Sequence, residues 1–226
     1  DTLDAGVASV RWMVNREPVF GAIGPSHVDP RSGEILDADI GMESLSSRNL
    51  RQVRARILGG TGTAAAAKDW AEVLQVGQTP AFDGALTAFW SAQAAMQCRH
   101  GEHAAEQLGY ALDVLAARGD IDPDSPEAQQ FVLDYLKDTT MHEVGHTLGL
   151  RHNFRASRAV SARQVADPDF TKREAFTGSV MEYAAVNLPR PGEPVPAPFQ
   201  ATLGSYDYWA IEYAYKPIAA AQEAAE

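Results

Sequence analysis

Between His142 and His152 the chain reads H-E-V-G-H-T-L-G-L-R-H, a run that sets three imidazoles, one carboxylate and one glycine at spacings suited to a single metal ion. On a helix, His142 and His146 are separated by about 40° around the axis and about 6 Å along it, so both rings can reach one ion. Glu143 follows the first ligand and points to its side, where it can hold a metal-activated water without taking a coordination position. Gly149 enters a left-handed conformation at little steric cost, ending the helix and turning the chain back. That turn brings His152 round as a third ligand. Three protein ligands leave the fourth tetrahedral position to water, as in a catalytic zinc site.

Ligands at this spacing need a helix to carry them. Ser125 as N-cap and Pro126 in the first turn start it, and the pattern predicts a helix from about Pro126 to Leu148. Phe131, Tyr135, Leu136, Thr139, His142 and His146 fall at steps of three to four, so the ligands continue an interior stripe. The acidic run at 120–127 lacks the glycine and terminal glutamate of a calcium loop, and capping explains it better. Upstream, residues 7–14 favour a strand, 17–29 an extended piece broken by Gly21, Gly24 and Pro25, D-P-R-S-G-E a turn and 34–42 a second strand. Residues 44–58 read as a helix bearing its arginines outward. G-G-T-G-T at 59–63 lacks the Lys-Ser/Thr of a phosphate loop and reads as a connector. The alanine-rich stretch 84–118 predicts two helices broken near Gly101 or Gly109. Residues 153–178 read as loop, 189–198 as an extended proline-rich segment and 205–215 as an aromatic helix packed under the C-terminal part.

The long signature from His142 to His152 resembles that of the metzincin zinc endopeptidases, which also carry a methionine-containing turn downstream. The stretches G-P-S-H-V-D-P-R-S-G-E-I-L-D-A-D-I, H-E-V-G-H-T-L-G-L-R-H-N-F-R-A-S, S-V-M-E-Y and L-G-S-Y-D-Y-W-A-I-E-Y-A-Y-K-P-I are similar to the bacterial Met-zincin group of large secreted or envelope proteases. The resemblance implies that Met181 forms an apolar floor beneath the histidines without binding the metal. It also implies that Tyr183 donates a hydrogen bond to the reaction's oxyanion, the other reading being a packing aromatic. Strand 34–42, with Ile40, Gly41 and Met42, would be the edge strand of the cleft and accept a substrate as an added antiparallel strand, or else be an ordinary edge strand. The implied fold is α+β: a two-lobed metzincin-like domain with a small mixed sheet, the active-site helix above it and a mostly helical lower lobe. Residues 1–152 would form the upper lobe, shortened at its N-terminus, and 153–226 the lower lobe.

The resemblance therefore implies a zinc-dependent metalloendopeptidase with one catalytic zinc, Glu143 as general base and a peptide or protein as substrate. The alternative is a catalytically silent zinc-binding module of the same fold that holds a polypeptide partner. Composition is that of an ordinary globular chain: 226 residues, 45% hydrophobic, 22% charged. A net charge of −11 argues against nucleic acid or an anionic membrane as partner, the one basic cluster, Arg48 to Arg56, reading as a solvated helix face. No apolar run is long enough to span a bilayer. The family likeness points to an extracytoplasmic location. Cys98 is the only cysteine, so no internal disulfide forms. Cys98, His100 and His103 sit close together and could bind a second metal, but their spacing fits no common site and reads rather as a surface histidine pair. Asn153, next to the third ligand, either fixes the loop there or serves simple turn chemistry.

Overall fold

The computed structural model describes residues 6–14, 21–43, 98–122, 125–219 and 222. The helix expected over 44–58, the connector at 59–63 and the first half of the alanine-rich stretch lie outside the described residues. Among the described residues, four strands, β1 (Ser9–Met13), β2 (Ala22–Ile23), β3 (Ser26–Val28) and β4 (Ile35–Glu43), precede two long helices, α1 (His100–Arg118) and α2 (Pro126–Thr147). A 3-10 turn (Ala156–Arg158), short helices α3 (Ala162–Val165) and α4 (Pro168–Thr171), and α5 (Ser205–Tyr215) follow. The stretch 153–178 is thus not wholly loop. Ser161 and Asp167 each accept hydrogen bonds from the first turn of a one-turn helix, the capping chemistry that Ser and Asp supply.

The sheet is mixed, and β4 is its centre. β1 runs parallel to it, with Ser9 opposite Asp39 and Met13 opposite Glu43. On the other side β2 and β3 run antiparallel, with Ala22 opposite Met42 and Ser26 opposite Ala38. The hairpin turn closes through the Gly33 N–H to the Asp29 carbonyl, at 2.8 Å, with Gly33 at φ +78°. This corrects the reading of 34–42 as an edge strand: Gly41 and Met42 are paired on both sides and Ile40 pairs with Val10 of β1, in a strand that has neighbours along both margins. Alternation alone cannot separate an edge strand from a central one. Ile40 and Met42 are buried with Ala22, and Leu136 of α2 packs against them.

The larger core lies between α1 and α2. Ala104, Ala105, Leu108, Ala111, Leu112 and Leu115 face Ala128, Phe131 and Tyr135, with Phe199 closing the end. Helix α1 begins at His100, beside the first glycine at which a break was expected, and runs unbroken through Gly109; Gly101 has a packing reason to be there. A Cβ at Gly101 would lie 2.4 Å from the Ala22 nitrogen, and one at Gly21 would lie 2.4 Å from the Glu102 nitrogen. The first turn of α1 therefore rests directly on β2, backbone against backbone. Helix α5 has the expected bounds, but of its side chains only Asp207 and Ala210 are buried, and Tyr206, Tyr208, Trp209, Tyr213 and Tyr215 are exposed. Among the described residues no helix is long and apolar enough to cross a membrane.

Two effects oppose each other at Gly101. Alanine would gain about 1 kcal/mol of helix propensity, whereas overpacking typically costs about 1–3 kcal/mol and here meets backbone that cannot rotate away. Gly101→Ala is expected to lower the denaturant midpoint, measured by urea unfolding.

Candidate metal centre

Helix α2 places the first two histidines. Its N-cap Ser125 accepts from the Ala128 N–H at 3.2 Å, and Phe131, Tyr135, Thr139 and His142 form its buried stripe. At the other end the Gly149 N–H donates to His146 O and the Leu150 N–H to Gly145 O, both at 2.9 Å, with Gly149 at φ +83°. This paired closure is a Schellman turn, which glycine makes possible. It turns the chain so that the Nε2 atoms of His152 and His146 stand 3.1 Å apart.

The rings are oriented by their outer nitrogens. His142 Nδ1 is 2.6 Å from Val180 O and His146 Nδ1 is 2.9 Å from Leu150 O. Each Nδ1–H donates to its carbonyl, so each Nε2 presents a lone pair to the common centre, the tautomer a metal requires. Burial lowers the pKa of all three imidazoles, that of His142 to about 2, with the neighbouring histidines adding to the effect. Each shift favours the neutral imidazole, the form that can bind a cation.

A fourth donor joins them. Cys98 Sγ is 3.3 Å from His142 Nε2 and 3.4 Å from His152 Nε2, and the four donor atoms all lie within 4.8 Å of one another. Zinc–nitrogen bonds of about 2.0–2.1 Å and a zinc–sulfur bond of about 2.3 Å imply tetrahedral ligand separations of roughly 3.4 and 3.5 Å. The three shortest spacings, 3.1, 3.3 and 3.4 Å, come close to that geometry. The cysteine is 44 residues from His142, so no local spacing marked it. His100 departs from the surface reading too. It is buried, its ring stacks on His142 with centroids 4.0 Å apart, and its Nε2 is 3.2 Å from Asp138 Oδ2. His103 stacks on Tyr183 at 6.0 Å.

Glu143 is fully buried, and among the described residues neither carboxylate oxygen has a hydrogen-bond partner. Burial pushes its pKa up to about 7, against the lowering influence of His100, the Cys98 thiol and the Gly24 amide, which lie close without reaching hydrogen-bond geometry. Burial likewise pushes the Cys98 thiol up to about 12, with Glu143 adding to it. A bound metal reverses that trend, since a coordinating thiol is deprotonated. Tyr183 OH is 3.3 Å from Cys98 Sγ and accepts from the Arg99 N–H at 2.8 Å, and its ring centroid is 4.8 Å from that of His152.

Met181 is buried against α2. A Cβ at Gly145 would fall 2.2 Å from Met181 Sδ, so the helix offers no side chain where the methionine sits. The Asn153 backbone N–H donates to Met181 O at 2.9 Å, tying the loop after the third ligand to this turn, while its side chain accepts from the Arg155 N–H at 3.3 Å. Loop fixing thus falls to its backbone and turn chemistry to its side chain. The turn itself is held from α5. Asp207 accepts from Ser179 Oγ at 2.6 Å, from the Val180 N–H at 2.9 Å and from the Gly204 N–H at 2.8 Å. Sequence reasoning passed over Asp207, although an acid in the first turn after Gly204 is a capping signal.

Residues 124–226 match the model of a family described as Met-zincin. Comparison with curated proteins and with solved structures gave no match. The matched stretch holds the three histidines, Glu143, Met181 and α5. Together with the small mixed sheet it gives an α+β fold of metzincin type.

Removing Asp207 leaves buried donors unpaired, at about 1–3 kcal/mol each. Asp207→Ala is expected to destabilise the chain by about 3 kcal/mol or more, read as a shift in the guanidinium midpoint. Because the Val180 carbonyl orients His142, zinc affinity measured by competition with a chelator should fall in the same variant.

Proposed function

For a chain of metzincin type, we propose the activity of a zinc-dependent metalloendopeptidase acting on peptides or proteins. One observation carries this reading: three neutral imidazoles converge on one point beside a buried carboxylate that has no other described partner. His142, His146 and His152 would hold the ion. When bound, zinc supplies Lewis-acid activation of water and of a peptide carbonyl. Glu143 takes the proton from the attacking water and delivers it to the departing amine, and a pKa raised towards neutrality suits both transfers. The Tyr183 hydroxyl donates to the developing oxyanion. Met181 and the Val180 carbonyl hold the rings still while this happens. A substrate strand cannot add to β4. It would use the outer margin of β2 and β3, with which no described strand pairs.

The acidic net charge agrees with a polypeptide substrate and not a nucleic acid. The likeness of the quoted segments to envelope and secreted proteases supports an extracytoplasmic site of action. The second reading, a zinc-binding module without turnover, is favoured by Cys98, because four protein donors make a closed site of the structural kind.

Glu143 separates the two readings, because it is needed for turnover and not for metal binding. Glu143→Ala is expected to keep about one zinc per chain and to lose about 10²- to 10⁴-fold in peptidase rate, assayed on a mixed peptide library with zinc quantified by elemental analysis. Equal rates in parent and variant would rule out the mechanism.

A further inference from the structure

The His142 ring rests on a second imidazole that stands outside the candidate donor group. His100, the first residue of α1, is 2% exposed, and its ring lies over that of His142 with centroids 4.0 Å apart and planes 10° from parallel. At the edge of the same ring, His100 Nε2 is 3.2 Å from Oδ2 of Asp138, a buried residue one helical turn before His142 on α2. The Nε2–H donates to that carboxylate. The turn of α1 that carries His100 has no room to slide, because Gly101 meets β2 backbone to backbone. A hydrogen bond to Val180 O fixes one atom of the His142 ring but leaves the ring able to rock about that contact. A flat neighbour at van der Waals distance removes the rocking, and with it the swing of Nε2 away from the common point. A buried polar pair adds little net stability over an apolar pair of the same volume, so its place against a ligand points to aim.

We propose that His100 is a positioning residue for the metal centre: its ring, anchored by Asp138, fixes the plane of His142 and so the direction from which Nε2 meets the ion. The inference rests on the zinc-binding part of the reading above and adds a residue pair that touches no metal. It makes metal affinity depend on the seating of α1 against α2, since one partner of the stack comes from each helix.

Two replacements in the full chain separate the ring from its hydrogen bond. His100→Gln can still donate to Asp138 but offers no flat face. The double variant His100→Phe with Asp138→Leu keeps a ring against His142 and leaves no buried carboxylate unpaired, which spares the fold the penalty of removing one partner alone. Zinc affinity is measured by competition with a chelator, beside urea unfolding of the metal-free chain. His100→Gln should bind zinc about tenfold to a hundredfold more weakly than the parent, and the double variant should lose less than about tenfold. With cobalt(II) in place of zinc, the visible absorption bands should match the parent in the double variant and shift in His100→Gln. A measurement that needs no variant is nuclear relaxation of the His142 ring, which in the metal-free parent should be as rigid as the backbone of α2. A mobile ring, a His100→Gln chain that binds zinc as tightly as the parent, or a double variant as weak as His100→Gln would overturn the positioning role and leave the zinc site standing. A parent chain that binds no zinc would overturn both. Peptidase activity enters none of these readouts, so an inactive zinc-loaded chain would overturn the turnover reading alone.

Discussion

Three imidazole nitrogens turned towards one point form an arrangement that a protein must enforce, because their lone pairs gain nothing from one another. The enforcement here is made from the far side of the rings. Two Nδ1 protons are given to main-chain carbonyls, Val180 for His142 and Leu150 for His146, and each carbonyl belongs to a turn that something else must fix. Leu150 is fixed by the Schellman closure of α2. Val180 is fixed by Asp207, whose two oxygens gather the Ser179 hydroxyl and the Val180 and Gly204 amides. Helix α5, some sixty residues beyond the signature, thus exists in this architecture less to bury apolar surface than to aim one carbonyl.

This explains why α5 can leave its aromatic residues exposed and still belong to the fold. A helix that contributed chiefly through the hydrophobic effect would bury a stripe of side chains, whereas α5 buries Asp207 and Ala210. A charged acceptor with three partners contributes more than a typical neutral hydrogen bond, and its removal costs more still because the donors are already desolvated. The same economy appears where α1 meets β2 and where Met181 meets α2. In both places a side chain is absent so that backbone or sulfur can approach, and the contact fixes the position of a residue in the metal centre.

Elements whose signal is local were legible in the sequence. The bounds of α2 follow from Ser125, Pro126 and Gly149, and the strand at 35–43 and its turn from alternation and D-P-R-S-G-E. The convergence of the three histidines was legible because helix geometry converts spacing into direction. What lay beyond reading was every property decided by a distant partner. Strand β4 is central because β1 pairs with it in parallel, and nothing inside I-L-D-A-D-I-G-M reports a neighbour on each side. Gly109 reads as a helix breaker yet lies inside α1, and nothing beside Gly101 reports that Ala22 lies against it. Cys98 and His100 look like surface residues until α1 brings them onto His142.

Chain separation also ranks the four candidate donors by how readily each can be brought to the centre. His146 and His152 are six residues apart, whereas Cys98 and His142 are 44 apart. By loop-closure entropy, holding the longer span together costs about 2 kcal/mol more. The imidazoles accordingly form a persistent local unit, able to assemble as soon as α2 and its terminal turn exist. The sulfur joins them only when α1 has docked. Polymer statistics thus give the four donors an order of assembly, the imidazoles before the sulfur.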